Sequence, residues 1–227
     1  MSQLLKFELK KLMHRPRTFL SIGLMLVLVG LIFWGLKSEG ENAMTYVFQS
    51  LGDNFLMQGK ILNGYMVCFL ILNTLWIHIP VLIVIVTADL FCSELETGTI
   101  RLLMTRPISR NRVALAKFFT AVLYVFFFIL IFTSLSLGLA LFLFGSDDLI
   151  VAFNGLQIIP EEDLLWRFFA AFGYAVLAMS TFAIFSVTVS FFTRKALVTI
   201  LITIGVIVIS TLLQTLAASL FFGWEFF

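Results

Sequence analysis

Charge is what this sequence has least of. Of its 227 residues only 12% are Asp, Glu, Lys or Arg, against about a quarter in a soluble domain, while 61% are hydrophobic and the mean hydropathy is +1.07. An aqueous surface cannot be built from that composition, so hydrocarbon must be the main solvent of the folded chain. Cysteine is nearly absent as well. Cys68 and Cys92 stand alone, and at about 1.5 Å per helical residue they fall tens of ångströms apart, too far for a disulfide. Neither has a metal-ligating neighbour, so no metal site is expected. The net charge of +2 is too small to imply a nucleic-acid partner. Short alternating apolar segments are missing, which excludes a transmembrane barrel and leaves an all-α fold. Missing too are a G-x-x-x-x-G-K-[ST] phosphate loop, H-E-x-x-H, G-x-S-x-G and any pair of Asp residues with metal spacing in the apolar runs. The chain therefore reads as a non-enzyme that carries no cofactor of its own.

What is present is a series of long apolar runs. Five of them, at approximately 19–36, 65–87, 118–144, 165–192 and 196–222, approach or exceed the roughly 20 residues a bilayer requires. The first lacks a small-x-small cleavage site and leads into further spans, so it reads as a retained helix. Twelve of the fifteen Lys and Arg residues fall on one set of alternating sides: before span one (Lys6, Lys10, Lys11, Arg15, Arg17), between spans two and three (Arg101, Arg106, Arg110, Arg112, Lys117), and between spans four and five (Arg194, Lys195). The positive-inside rule then places the N-terminus in the cytoplasm of a multi-pass protein of the bacterial inner membrane. On the outer side lies an acidic loop, 145–164, with Asp147, Asp148, Glu161, Glu162 and Asp163. Either it gathers cations or it is a solvated loop kept outside by topology. No repeat and no linker appears, so 1–227 reads as a single transmembrane domain.

Two polar-edged segments carry more information. Residues 1–18 place Leu5, Leu9, Leu12 and Met13 at helical spacing with Lys6, Lys10 and Lys11 on other faces. This predicts an amphipathic helix on the inner interface, ended by Pro16, with its Lys side toward anionic lipid headgroups; a simple topology signal is the alternative. The segment 88–112 is too polar to span and too apolar to be only a linker. Ser93 and Glu96 have the spacing of a capping box, while Ile100, Leu103 and Met104 make one apolar face of a short helix that Pro107 must end. Gly98 marks a turn or a close backbone approach. Such a helix suits either a groove on another protein or its own bundle.

The run E-x-E-x-G-T followed by R-L-L-x-x-R-P-I-S-R, here Glu94, Glu96, Gly98, Thr99, Arg101, Leu102, Leu103, Arg106, Pro107 and on to Arg110, resembles the signature of ABC-2 type permeases. In that family it follows the second span and contains the coupling helix that contacts the ATPase subunit. The basic N-terminal helix resembles the family's elbow helix. The resemblance implies a permease subunit working as a dimer with a second, same or homologous permease subunit. It also implies ATP and Mg bound by separate ABC ATPase subunits, and export as the direction. Six spans are usual in the family, where this sequence supplies five. A bulky residue at Gly98 is then expected to uncouple ATP hydrolysis from transport.

Polar residues inside the spans are the remaining candidates. Thr199, Thr203, Ser210 and Gln214 fall within a stripe of roughly 60° on one helix, and Asn73 and His78 lie close together ahead of Pro80, which is placed to kink span two. They read either as pathway-lining groups or as groups satisfied by their own and neighbouring helices. A non-transporting membrane scaffold that turns ATPase strokes into mechanical work is the alternative function.

Overall fold

The structure, a computed structural model, describes residues 2–49, 62–99, 109–152 and 156–222. Among these the order is α1 (Ser2–Met13), α2 (Pro16–Gln49), α3 (Gly64–Leu75), α4 (His78–Thr87), α5 (Asp89–Glu96), α6 (Arg110–Thr133), a π-helical stretch (Ser134–Leu139), α7 (Ala140–Phe144), β1 (Leu149–Ala152), β2 (Leu156–Ile159), α8 (Glu161–Thr193) and α9 (Ala196–Phe222). Among the described residues five helical stretches are long and apolar enough to cross a membrane: Pro16–Gly40, His78–Glu96, Asn111–Phe144, Glu161–Thr193 and Ala196–Ala217. Their exposed faces carry large apolar side chains such as Trp34, Phe142 and Phe192, as hydrocarbon-facing helices require.

The count matches the sequence reading, but the second span is drawn differently. The run 65–87 divides at Trp76–Ile77 into α3 and α4, and the helical path then continues to Glu96. Proline accounts for the break: Pro80 has no N–H to give the carbonyl of Trp76, and its ring crowds that carbonyl. Pro16 behaves as expected from the other side, since α1 stops at Met13 and Pro16 opens α2, the first helical position where a missing N–H costs nothing.

The chain forms two compact units. One comprises Met1–Ser21, Pro80–Val125 and Met179–Phe227; the other comprises Ile22–Ile79 and Phe126–Ala178. In the second unit, α3 packs on the π stretch and α7. Asn63 caps α3, its Oδ1 accepting from Met66 N at 2.8 Å while its Nδ2 donates to Asp148 O at 2.6 Å. Gly64 N donates to Gly145 O at 2.8 Å. This approach leaves no space for a side chain, because a Cβ on Gly64 would lie 2.7 Å from Gly145 O and from Leu141 Cα. Tyr65 stacks on Phe168, and Phe132 meets Phe172 edge-on.

The π stretch has a reason in the burial pattern. Phe128, Phe132, Ser136 and Ala140 are all buried at a strict spacing of four. An α-helix of 3.6 residues per turn drifts off such a row, whereas wider π turns, closed by i→i+5 bonds, hold it in place.

The acidic loop is partly sheet: β1 and β2 pair antiparallel with Leu149 opposite Ile159. Its carboxylates have local work. Glu161, Glu162 and Asp163 occupy the first turn of α8, where the helix dipole favours negative charge. Asp148 Oδ1 accepts from Glu161 N at 2.9 Å, and Asp163 pairs with Arg167 one turn on. These roles favour the solvated-loop reading over cation gathering.

Candidate functional site

The first unit is organised by α5, which continues α4 through the helical residue Ala88 and stops at Glu96, with Thr97 as its C-cap and Gly98 just beyond. Thr97 N donates to Ser93 O, Gly98 N donates to Leu95 O, and Gly98 has φ +71°, the left-handed stop that glycine supplies at a helix C-terminus. Ser93 is therefore not a cap. It lies inside α5 with its Oγ donating to Asp89 O at 2.9 Å, because the helix it was expected to open has already begun upstream. The glycine is needed for its backbone, and no described residue lies within 4 Å of where a Cβ would stand. Gly98→Ala is accordingly expected to cost about 1 kcal/mol and Gly98→Asn less, as Asn tolerates this conformation; equal melting temperatures for the wild type and the Ala variant would remove the argument.

Charged residues from distant parts of the sequence converge on α5. Asp89 Oδ1 accepts from Arg17 Nη1 at 2.6 Å, and Arg15 Nη1 reaches both Asp89 Oδ2 at 3.2 Å and Asp89 O at 2.8 Å. One turn further, Glu94 Oε1 accepts from Lys11 Nζ at 2.6 Å. Glu94 Oε2 pairs with Lys117 Nζ at 2.8 Å. Lys117 is fully buried. Its ammonium also donates to Leu90 O at 2.9 Å and to Glu8 Oε2 at 3.4 Å, and it sits 5.4 Å from the centre of the Phe91 ring. Glu8 is 1% exposed and its Oε1 has no hydrogen-bond partner among the described residues.

The opposite side of α5 meets the turn between α8 and α9. Glu96 accepts from Ala196 N at 3.0 Å, which satisfies one of the four N–H groups left open at the start of α9. Cys92 Sγ lies 3.6 Å from Ser190 O and 3.4 Å from Thr199 Oγ1, and Phe91 meets Phe191 edge-on. Between the two helices Arg194 adopts φ +56°, an uncommon conformation for a residue with a Cβ.

This geometry alters the sequence reading in three respects. The N-terminal helix does not lay all its apolar residues and Lys side chains outward. Leu12 and Glu8 are buried and Lys11 is paired with Glu94, while Lys6 and Lys10 are exposed. The structure gathers Glu94 and Glu96 into one site, with Gly98 and Thr99 at its edge, where the Thr99 and Thr97 hydroxyls lie 3.0 Å apart. Arg101, Leu102, Leu103, Arg106 and Pro107 lie outside the described residues, as does the predicted face of Ile100, Leu103 and Met104; Arg110 opens α6. The stripe on α9 divides: Thr199 and Thr203 are fully buried, with hydroxyls returned to Lys195 O and Thr199 O, so they lie away from any surface a second subunit can reach. Ser210 and Gln214 are exposed, although Ser210 donates to Ile207 O. Asn73 and His78 are exposed beside the break at Trp76, Asn73 donating to Phe69 O.

The ionic partners Glu8, Lys11, Arg15, Arg17, Asp89 and Lys117 do not stand out in the sequence as site residues. Two signals nonetheless point to them: Glu8 shares a helix face with Leu5 and Leu12, and Lys117 stands between Ala116 and Phe118 inside an apolar run.

A family model described as ABC-2 family transporter protein matches residues 3–223. The chain belongs to the ABC-2 transporter family. No curated protein and no solved structure matches it. This ABC-2 chain is a multi-pass membrane protein and the membrane permease component of an ABC transporter, a family that is normally non-catalytic and generally works with ABC ATPase partners.

Proposed function

We propose that this permease subunit forms an export pathway with a second permease subunit in the bacterial cytoplasmic membrane, its N-terminus inside, and is driven by two separate ATPase subunits that bind ATP and Mg. The ATPases engage the chain at 88–112, through the exposed end of α5 and the basic run Arg101, Arg106 and Arg110 that follows it. One observation supports this reading above the others: α5 is fastened by charged side chains to α1, α6 and α9. A push on its exposed end is thereby carried into the membrane-spanning helices. Asn73 and His78, polar and exposed where α3 gives way to α4, are the groups proposed to line the pathway, since lipid is a poor neighbour for them.

The test is purification of the tagged chain from its host in gentle detergent, with mass spectrometry of what accompanies it, repeated with Arg101→Glu and Arg106→Glu together. Recovery of a P-loop ATPase that the double variant releases is the expected result. A folded chain that brings no ATPase would overturn the proposed coupling to ATPase subunits.

A further inference from the structure

Glu94 and Glu96 are two residues apart on one helix, so at about 100° per residue their side chains leave it in nearly opposite directions. Each belongs to a row one turn long. Leu90 and Glu94 face Lys117 of α6, through a backbone carbonyl and a carboxylate respectively, and Glu94 also holds Lys11 of α1. Cys92 and Glu96 face Ser190, Thr199 and Ala196 across the α8–α9 turn. Both rows are specific. Lys117 brings its ammonium to Leu90 O, Glu94 and Glu8 from a fully buried position, and Glu96 places a negative charge at the N-terminus of α9, where the open N–H groups and the helix dipole favour it.

We infer that the two carboxylates divide the output of the coupling segment: Glu94 is the positioning residue that carries its displacement to α6 and α1, and Glu96 is the one that carries it to α8 and α9. This rests on the reading that an ATPase moves the segment. It assigns both motif carboxylates to transmission within the chain and leaves contact with the ATPase to the residues from Thr97 onward.

The experiment uses the complex of this chain with the ATPase that co-purifies with it. Single cysteines replace Asn111, exposed at the start of α6, or Lys195, exposed just before α9; the native Cys68 and Cys92 are fully buried and do not compete. Maleimide labelling rates are compared in the nucleotide-free complex and after trapping with ADP and vanadate. In the otherwise unaltered chain trapping is expected to change both rates, by about five-fold at the low end of a coupling free energy. Glu94→Gln is expected to abolish the change at 111 and keep it at 195. Glu96→Ala is expected to do the reverse, with Glu96→Gln regaining part of the change at 195, because its amide oxygen accepts the same N–H without the charge.

Should Glu94→Gln fold poorly, the combination Glu8→Gln, Glu94→Gln and Lys117→Met tests the same arm with the buried charges of Glu8, Glu94 and Lys117 all removed. Changes that survive both substitutions, or that vanish together in each, would overturn the division. If no ATPase accompanies the unaltered chain, it is the coupling reading that fails.

Discussion

Lys117→Met is expected to destabilise the chain by about 3–5 kcal/mol, the usual consequence of removing one partner from a buried ionic group. The reason lies in what remains. Glu8 and Glu94 are 1% and 4% exposed, and without Lys117, among the described residues only Lys11, itself partly exposed, faces Glu94 and no cation faces Glu8. Two carboxylates would then share a site where the cost of desolvation is no longer offset. Replacing all three, with Glu8→Gln and Glu94→Gln added to Lys117→Met, is expected to recover most of the loss, because a neutral polar cluster carries no charge into the interior. Reversible unfolding in mild detergent measures both. A single variant within about 1 kcal/mol of wild type would show that water reaches the cluster and that the burial argument is wrong.

Gly64→Ala is expected to cost at least the 1–3 kcal/mol typical of overpacking. The new Cβ would stand 2.7 Å from Gly145 O, 2.7 Å from Leu141 Cα and 2.8 Å from Ala140 O, all of them backbone atoms that no rotamer change can move. Relief means separating α3 from α7, which also lengthens the bond from Gly64 N to Gly145 O. Gly30→Ala is the control, since no described residue lies within 4 Å of the added atom and alanine is the better helix former by up to about 1 kcal/mol. Parallel melting curves should therefore move in opposite directions. A Gly64→Ala curve overlaying wild type would mean that α3 and α7 do not meet this closely.

The parts of the fold legible in the sequence are those set by composition. A run such as 118–144 declares a spanning helix without any periodicity, since apolar length alone decides it. Pro80 announces a kink, though not that α3 stops at Leu75 and that helix resumes and runs on to Glu96. The hairpin also has a local signal. In the sequence, Asn154-Gly155, outside the described residues, stands between the apolar run Leu149-Ile150-Val151 and the later Ile158-Ile159, a dipeptide that favours a turn between strand formers.

The ionic cluster is a different matter. Its members are separated by as many as 109 residues in the chain, and no local rule relates them. Counting Lys11, Arg15, Arg17 and Lys117 as topology signals is consistent with the sequence, yet each also has a carboxylate partner in the first unit. The motif carboxylates are recognisable by their pattern, whereas their partners become visible only when the helices are in place.

The π stretch on the third spanning helix has a consequence for insertions and deletions. Removing one residue from an α-helix turns everything beyond it by about 100°, which would carry the buried row into lipid and a lipid-facing row inward. Within Ser134–Leu139 the helix already holds more residues than α geometry uses over the same rise. A one-residue deletion there lets the segment relax to α-helix and absorbs much of the rotation locally, while the same deletion near Tyr124 has no such slack to draw on.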